Sequence, residues 1–91
     1  TKVIDILNEM PQVKEQISKL EKTKGGLSSV SQISYSGIVR MDNKELHRFI
    51  LERADIRGSE IYMDFLATKY PFQIFEISNE SDSLNLIHRD K

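Results

Sequence analysis

The segment DNKELHRFILERADIRGSEIYMDFLATKYP, residues 42–71, decides the fold that the sequence predicts. Asp42 can cap a helix, and Glu45 stands three residues later, as in a capping box. The apolar residues that follow have helical spacing: Leu46, Phe49, Ile50 and Ala54. Gly58 suits a helix end or the turn after it. These features predict a helix that begins at Asp42 and ends before Gly58.

A second helix is predicted directly after this turn, over residues 59–70. Ser59 is a good N-cap, and Pro71 prevents the helix from continuing. Its predicted buried face is Ile61, Phe65 and Leu66.

Strands are predicted on both sides of the helix pair. Residues 33–39 alternate apolar and small polar side chains, with Gly37 as a bulge candidate. Residues 72–77 and 84–89 are strand-like in composition, and the polar loop 78–83 separates them. The sequence therefore predicts a closing β-hairpin.

An apolar stripe runs along residues 1–22 at spacings of 3, 4, 3, 4 and 3, which predicts an amphipathic helix. Its members are Val3, Ile6, Met10, Val13, Ile17 and Leu20. Pro11 leaves two interpretations open: one helix kinked near Met10, or two helices with Pro11 in the first turn of the second. The stripe either packs on its own domain or forms a homodimer contact. Residues 23–32, with Gly25-Gly26 and three serines, are predicted to be a linker to a domain over 33–91.

Composition favours a small protein of the cytoplasm. The chain has 91 residues, 38% of them hydrophobic and 30% charged, and its net charge is −1. Cysteine is absent, which excludes disulfides and thiolate metal sites. No apolar run approaches the roughly 20 residues that cross a bilayer. We therefore expect an intracellular location and no membrane partner.

The predicted order, helix–strand–helix–turn–helix–β-hairpin, resembles the winged-helix form of the helix-turn-helix fold. This resemblance implies a small α+β domain in which the second helix of the pair, 59–70, lies in the DNA major groove. The loop 78–83 would be the tip of the wing. A DNA-binding regulator would use Arg53, Arg57, Ser59 and Lys69, the serine through its backbone amide, with Lys44 and Arg48 at the rim. The alternative for the arginines is a solvated face paired with Glu52 and Asp55.

Charge favours a rival hypothesis, in which the same fold binds a protein. Residues 59–91 hold three bases and six acids, whereas DNA-binding surfaces depend on Lys and Arg. An adaptor or inhibitor of a basic partner would use Glu60, Tyr62, Asp64, Glu80 and Asp82. A third hypothesis is a helical assembly module in which the N-terminal stripe is the whole function.

The sequence offers no pattern for catalysis. The two histidines, His47 and His88, lack the spacing of a zinc site, and Glu80 and Asp82 lie in a polar loop. We expect a non-enzymatic binding module with no catalytic residues, no metal, no cofactor and no small-molecule substrate.

Overall fold

A computed structural model describes residues 2–22, 30–55, 58–78, 80 and 83–89. Two short helices, α1 (Lys2–Glu9) and α2 (Pro11–Lys22), precede five strands. The strands are β1 (Val30–Met41), β2 (Lys44–Asp55), β3 (Gly58–Thr68), β4 (Gln73–Ile77) and β5 (Leu84–Arg89). They form one antiparallel sheet in the order β1-β2-β3-β4-β5, so each strand pairs with its neighbour in sequence.

The winged-helix prediction is wrong, because both members of the predicted helix pair are strands. Residues 44–55 form β2 and residues 58–68 form β3. Asp42 and Asn43 occupy the left-handed region, with φ of 52° and 63°, and make the two-residue turn between β1 and β2. Positive φ at both central residues is the geometry of a type I′ hairpin, for which Asp and Asn are suited. Glu45 does not cap a helix; it accepts a hydrogen bond of 3.1 Å from Arg40 across the hairpin.

The helical spacing of the apolar residues led to a wrong helix prediction because the central parts of β2 and β3 have buried side chains on both faces. Phe49, Ile50 and Leu51 are consecutive and all buried, and so are Phe65, Leu66 and Ala67. A short apolar run of this kind satisfies a helical template as well as a central-strand template. Ile61, predicted on a buried helix face, is 52% exposed. There is accordingly no reading helix at 59–70, and Ser59 lies in β3 rather than at a helix start.

The outer strands and the helical start were predicted better. The strand predicted over 33–39 lies within β1, and a register shift between Tyr35 and Gly37 confirms the bulge. β4 and β5 pair as the predicted hairpin, within 72–77 and 84–89. Pro11 begins α2, which confirms the two-helix interpretation. β1 begins at Val30, inside the predicted linker; residues 23–29 lie outside the described part of the chain.

Both helices pack on one face of the sheet and form its core. Leu7, Val13 and Leu20 from the helices join a buried cluster on the sheet: Ile33, Phe49, Leu51, Phe65, Ala67 and Ile74. The remaining stripe residues, Val3, Ile6, Met10 and Ile17, pack against this cluster. The stripe therefore contacts its own sheet, as the packing alternative expected, while a homodimer through these side chains stays a prediction. Neither helix is long and apolar enough to span a membrane.

Candidate functional site

A cavity of about 780 Å³ lies between the start of α1 and one end of the sheet. Its size falls in the range of roughly 300–1,000 Å³ that small-molecule sites occupy. The residues that line it come from α1, β1, β2, β3 and the β3–β4 turn: Lys2, Val3, Tyr35, His47, Phe49, Ala67, Thr68, Lys69, Tyr70, Pro71 and Phe72. We call it the aromatic cavity, because five of the eleven residues that line it carry aromatic rings.

Strand register brings the sheet wall together. Tyr35 pairs with Phe49 across β1 and β2, and His47 pairs with Ala67 across β2 and β3. Side chains of paired residues point to the same face, so this wall faces the helices. The Tyr35 ring contacts Phe49 at 5.2 Å and His47 at 5.8 Å between centroids. A single bulge before Gly37 sets this arrangement, since it aligns Tyr35 with Phe49.

The opposite wall of the aromatic cavity is the turn after β3. The Thr68 hydroxyl donates a 2.6 Å hydrogen bond to the Pro71 carbonyl and closes that turn. The Phe72 ring is held edge-on by His88, with centroids 5.7 Å apart. Tyr70 is 91% exposed and stands at the rim.

Polar groups of the cavity are few and specific. Tyr35 Oη and His47 Nδ1 share a hydrogen bond of 3.0 Å on the sheet wall. The Lys2 ammonium lies 4.5 Å from the centre of the Phe72 ring, in a cation–π contact. Lys69 supplies a second cation, and no carboxylate occurs among the described residues that line the cavity. Such an apolar wall with a few fixed polar groups suits binding and orientation of a ligand.

The described residues that were predicted to bind DNA lie on two strands and in the turn after β3. Lys44, Arg48 and Arg53 lie along β2, Ser59 is at the start of β3, and Lys69 follows β3 at the aromatic cavity. Arg57 lies outside the described residues. Arg48 is already engaged: its guanidinium donates to both oxygens of the Asp64 carboxylate, at 2.9, 3.2 and 2.6 Å. These hydrogen bonds to Asp64 raise the pKa of Arg48 above its ordinary value.

Of the residues predicted to bind a protein, Glu60, Tyr62 and Asp64 lie along β3. Asp64 pairs with Arg48 on the sheet face away from the helices, while Glu80 is an exposed turn residue. Asp82 lies outside the described residues. The Tyr62 hydroxyl donates a 2.7 Å hydrogen bond to Glu60, which raises the pKa of that hydroxyl above its ordinary value. Arg48 was predicted to bind DNA and Asp64 to bind a protein partner, and in the structure these two side chains pair with each other. The Ser34 hydroxyl donates a hydrogen bond of 3.1 Å to Glu52.

Sequence reasoning missed most of the aromatic cavity. The sequence predicts a helix at His47 and a strand at Phe72, and no local pattern brings the two residues together. The missed signal is the Asp42–Asn43 turn: counting outward from it places Ile38 opposite His47, and the predicted bulge then aligns Tyr35 with Phe49. Within the described residues, no group of three His, Asp or Glu side chains is placed to hold a metal ion.

Comparison of the chain with protein-family models, with curated proteins and with solved structures found no match.

Proposed function

We propose that this protein is a non-enzymatic binding module that takes a small apolar ligand in the aromatic cavity. The observation that carries the proposal is a space of about 780 Å³ with rings of Tyr35, Phe49, Tyr70 and Phe72 in its wall. Removing apolar ligand surface from water supplies affinity of roughly 25 cal/mol per Å² buried. This proposal departs from the prediction of no small-molecule partner, because the cavity forms only when distant segments meet.

The proposed function is still that of a binding module, as the sequence predicted. It no longer includes a helix that binds in the DNA major groove. That geometry needed a helix at 59–70, where the chain forms β3. A cytoplasmic location and a non-enzymatic role remain predictions from the sequence.

A fluorescence titration with N-phenyl-1-naphthylamine, a neutral apolar probe, tests the proposal. Val3 lines the cavity from α1, so Val3→Trp should fill part of it and weaken probe binding at least about tenfold, a change of 1.4 kcal/mol. Asn8→Trp is the matched control, because Asn8 is exposed on the same helix and does not line the cavity.

A second variant keeps the test valid if Val3→Trp does not fold. Tyr35 is 50% exposed, so Tyr35→Ser should leave the fold intact while removing a ring from the wall. Ile38→Ser is its control on the same strand, with 56% exposure and no contribution to the cavity. Circular dichroism checks the fold of all four variants. Saturable binding that none of them changes would refute the proposal, and so would the absence of saturable binding to the parent protein.

A further inference from the structure

We infer that the ligand of the aromatic cavity bears a neutral group that both donates and accepts a hydrogen bond, as the hydroxyl of an apolar alcohol or phenol does, and that Tyr35 and His47 bind this group. This inference rests on the proposed function and adds the polar group that the cavity recognises. It follows from the hydrogen bond that joins these two side chains and from the bonding positions that this bond leaves open.

Tyr35 and His47 form a polar pair on the sheet wall of the cavity. Both side chains line the cavity, and Tyr35 Oη lies 3.0 Å from His47 Nδ1. Tyr35 is 50% exposed and His47 is half-buried, so neither side chain is sealed in the core. Among the residues that the structure describes, neither of them forms a second side-chain hydrogen bond. The pair therefore has unused hydrogen-bonding positions at the cavity.

The direction of the shared hydrogen bond does not change what the pair offers to a ligand. A neutral imidazole has one donor and one acceptor nitrogen, and a phenol hydroxyl both donates and accepts. If Tyr35 donates to His47 Nδ1, Nε2 carries the ring proton and donates, while the tyrosine oxygen still accepts. If Nδ1 donates to the tyrosine oxygen, the tyrosine hydroxyl donates outward and Nε2 accepts. In both arrangements the pair offers one donor and one acceptor.

A hydroxyl group on the ligand matches this pair because it also donates and accepts. A carboxylate only accepts and an ammonium only donates, so each would leave one position of the pair without a match. A purely apolar ligand would displace water from the pair and leave both positions unsatisfied, which opposes binding. The Thr68 hydroxyl is a poorer anchor, because it already donates to the Pro71 carbonyl.

A purely structural role is the main alternative for the pair, since Tyr35 and His47 lie on neighbouring strands, β1 and β2. A pair that only joined these strands would support the cavity wall as a whole. Its loss would then weaken the binding of every ligand to a similar extent. A pair that binds a hydroxyl changes the affinity only for ligands that carry one.

Two probes of nearly equal size separate these roles. 2-Naphthol and 2-methylnaphthalene are both fluorescent, and they differ only in a hydroxyl in place of a methyl group. Titrations of the full chain at about pH 8, where free imidazole is neutral, measure both affinities. The double variant Tyr35→Phe, His47→Phe keeps a ring at each position and removes the hydrogen-bonding atoms of both side chains. It should weaken 2-naphthol about threefold to tenfold, the effect of one hydrogen bond, and leave 2-methylnaphthalene unchanged or bound more tightly.

Tyr70→Phe is the matched control, because it removes the same phenol hydroxyl from another residue that lines the cavity. Tyr70 is 91% exposed, so this variant should keep both affinities within about twofold of the parent. The single variant Tyr35→Phe serves if the double variant does not fold, and it should weaken 2-naphthol about threefold or more without weakening 2-methylnaphthalene. Circular dichroism checks the fold of each variant.

The outcomes distinguish this inference from the proposed function. Equal losses of affinity for the two probes, or an unchanged affinity for 2-naphthol, would overturn the inference. Saturable binding of 2-methylnaphthalene that Val3→Trp weakens would still support the cavity in that case. If neither probe binds the parent saturably, or if Val3→Trp and Tyr35→Ser leave the binding of both probes unchanged, the proposed function fails and this inference fails with it.

Discussion

Arg48 and Asp64 illustrate how one residue pair changes the interpretation of a surface. They lie on neighbouring strands as diagonal neighbours, with Arg48 opposite Leu66 and Asp64 opposite Ile50. Their side chains are 33% and 16% exposed, so the pair is partly withdrawn from water. Paired charges of this kind largely neutralise each other.

The pair should matter for stability because breaking it leaves a half-buried guanidinium with poorer acceptors. We expect Asp64→Asn to lower the free energy of unfolding by about 1–2 kcal/mol, less than for a fully buried pair because water partly screens it. Urea denaturation followed by circular dichroism measures this change.

Glu45→Gln is the matched control, since it removes the other cross-strand pair, Arg40–Glu45, whose side chains are 80% and 57% exposed. It should cost less than about 0.5 kcal/mol. The Arg48→Met, Asp64→Leu double variant should recover most of the loss, because two apolar side chains leave no charge unpaired. Equal losses for Asp64→Asn and Glu45→Gln would show that burial of the pair contributes nothing.

At the scale of elements, the turn between β1 and β2 decides the fold. The sequence Asp42-Asn43-Lys44-Glu45 satisfies a helix cap and a hairpin turn equally well. The hairpin forms because β2 then pairs on both sides, with β1 and with β3, and buries Phe49, Ile50 and Leu51 on two faces. A surface helix buries only one stripe of its side chains.

Substitutions at Asn43 test this turn directly, because helix and hairpin predict different effects of glycine and valine. Asn43 has φ of 63°, a conformation that glycine adopts without strain. Asn43→Gly should leave stability unchanged or raise it by up to about 1 kcal/mol, whereas Asn43→Val should lower it by about 1–2 kcal/mol. Thermal unfolding of both variants gives the comparison.

In a helix capped by Asp42, residue 43 would have a negative φ, so valine would carry no such penalty there. If the Asn43→Gly variant were less stable than the Asn43→Val variant, the hairpin turn would be contradicted.

At the scale of the whole molecule, the helices and the sheet form one core. Leu7 and Val13 are fully buried against sheet residues that include Leu51 and Phe65. The sheet face that carries Leu51 and Phe65 needs a covering layer, and α1 and α2 supply it. The same arrangement creates the aromatic cavity, because the start of α1 forms one side of it.

We therefore expect helix and sheet to unfold in one transition. Leu7→Ala should lower the free energy of unfolding by about 2–5 kcal/mol, the usual range for a buried leucine. Leu86→Ala is the control with identical chemistry at a 45% exposed position, and it should cost less than about 1 kcal/mol. Circular dichroism at 222 nm and tyrosine fluorescence should report the same midpoint in each variant. A loss of helical signal before the tyrosine signal would show that the helices are a separate unit.

The sequence by itself determined the local features whose signals depend on near neighbours. These are the helical N-terminal segment with its apolar stripe, the bulge before Gly37 and the closing hairpin of β4 and β5, whereas only the structure decided that Pro11 divides the segment into two helices. Their spacing or turn chemistry is complete within a few residues, so no distant partner is needed to predict them.

Only the tertiary structure decided that residues 44–55 and 58–68 are strands, and only it created the aromatic cavity. Consecutive apolar residues become a central strand when neighbours on both sides offer hydrogen bonds and both faces are covered. Tyr35, His47 and Phe72 meet because three strands align in register and α1 covers one end. Such a site depends on contacts between residues far apart in the chain, and its composition carries no local signature.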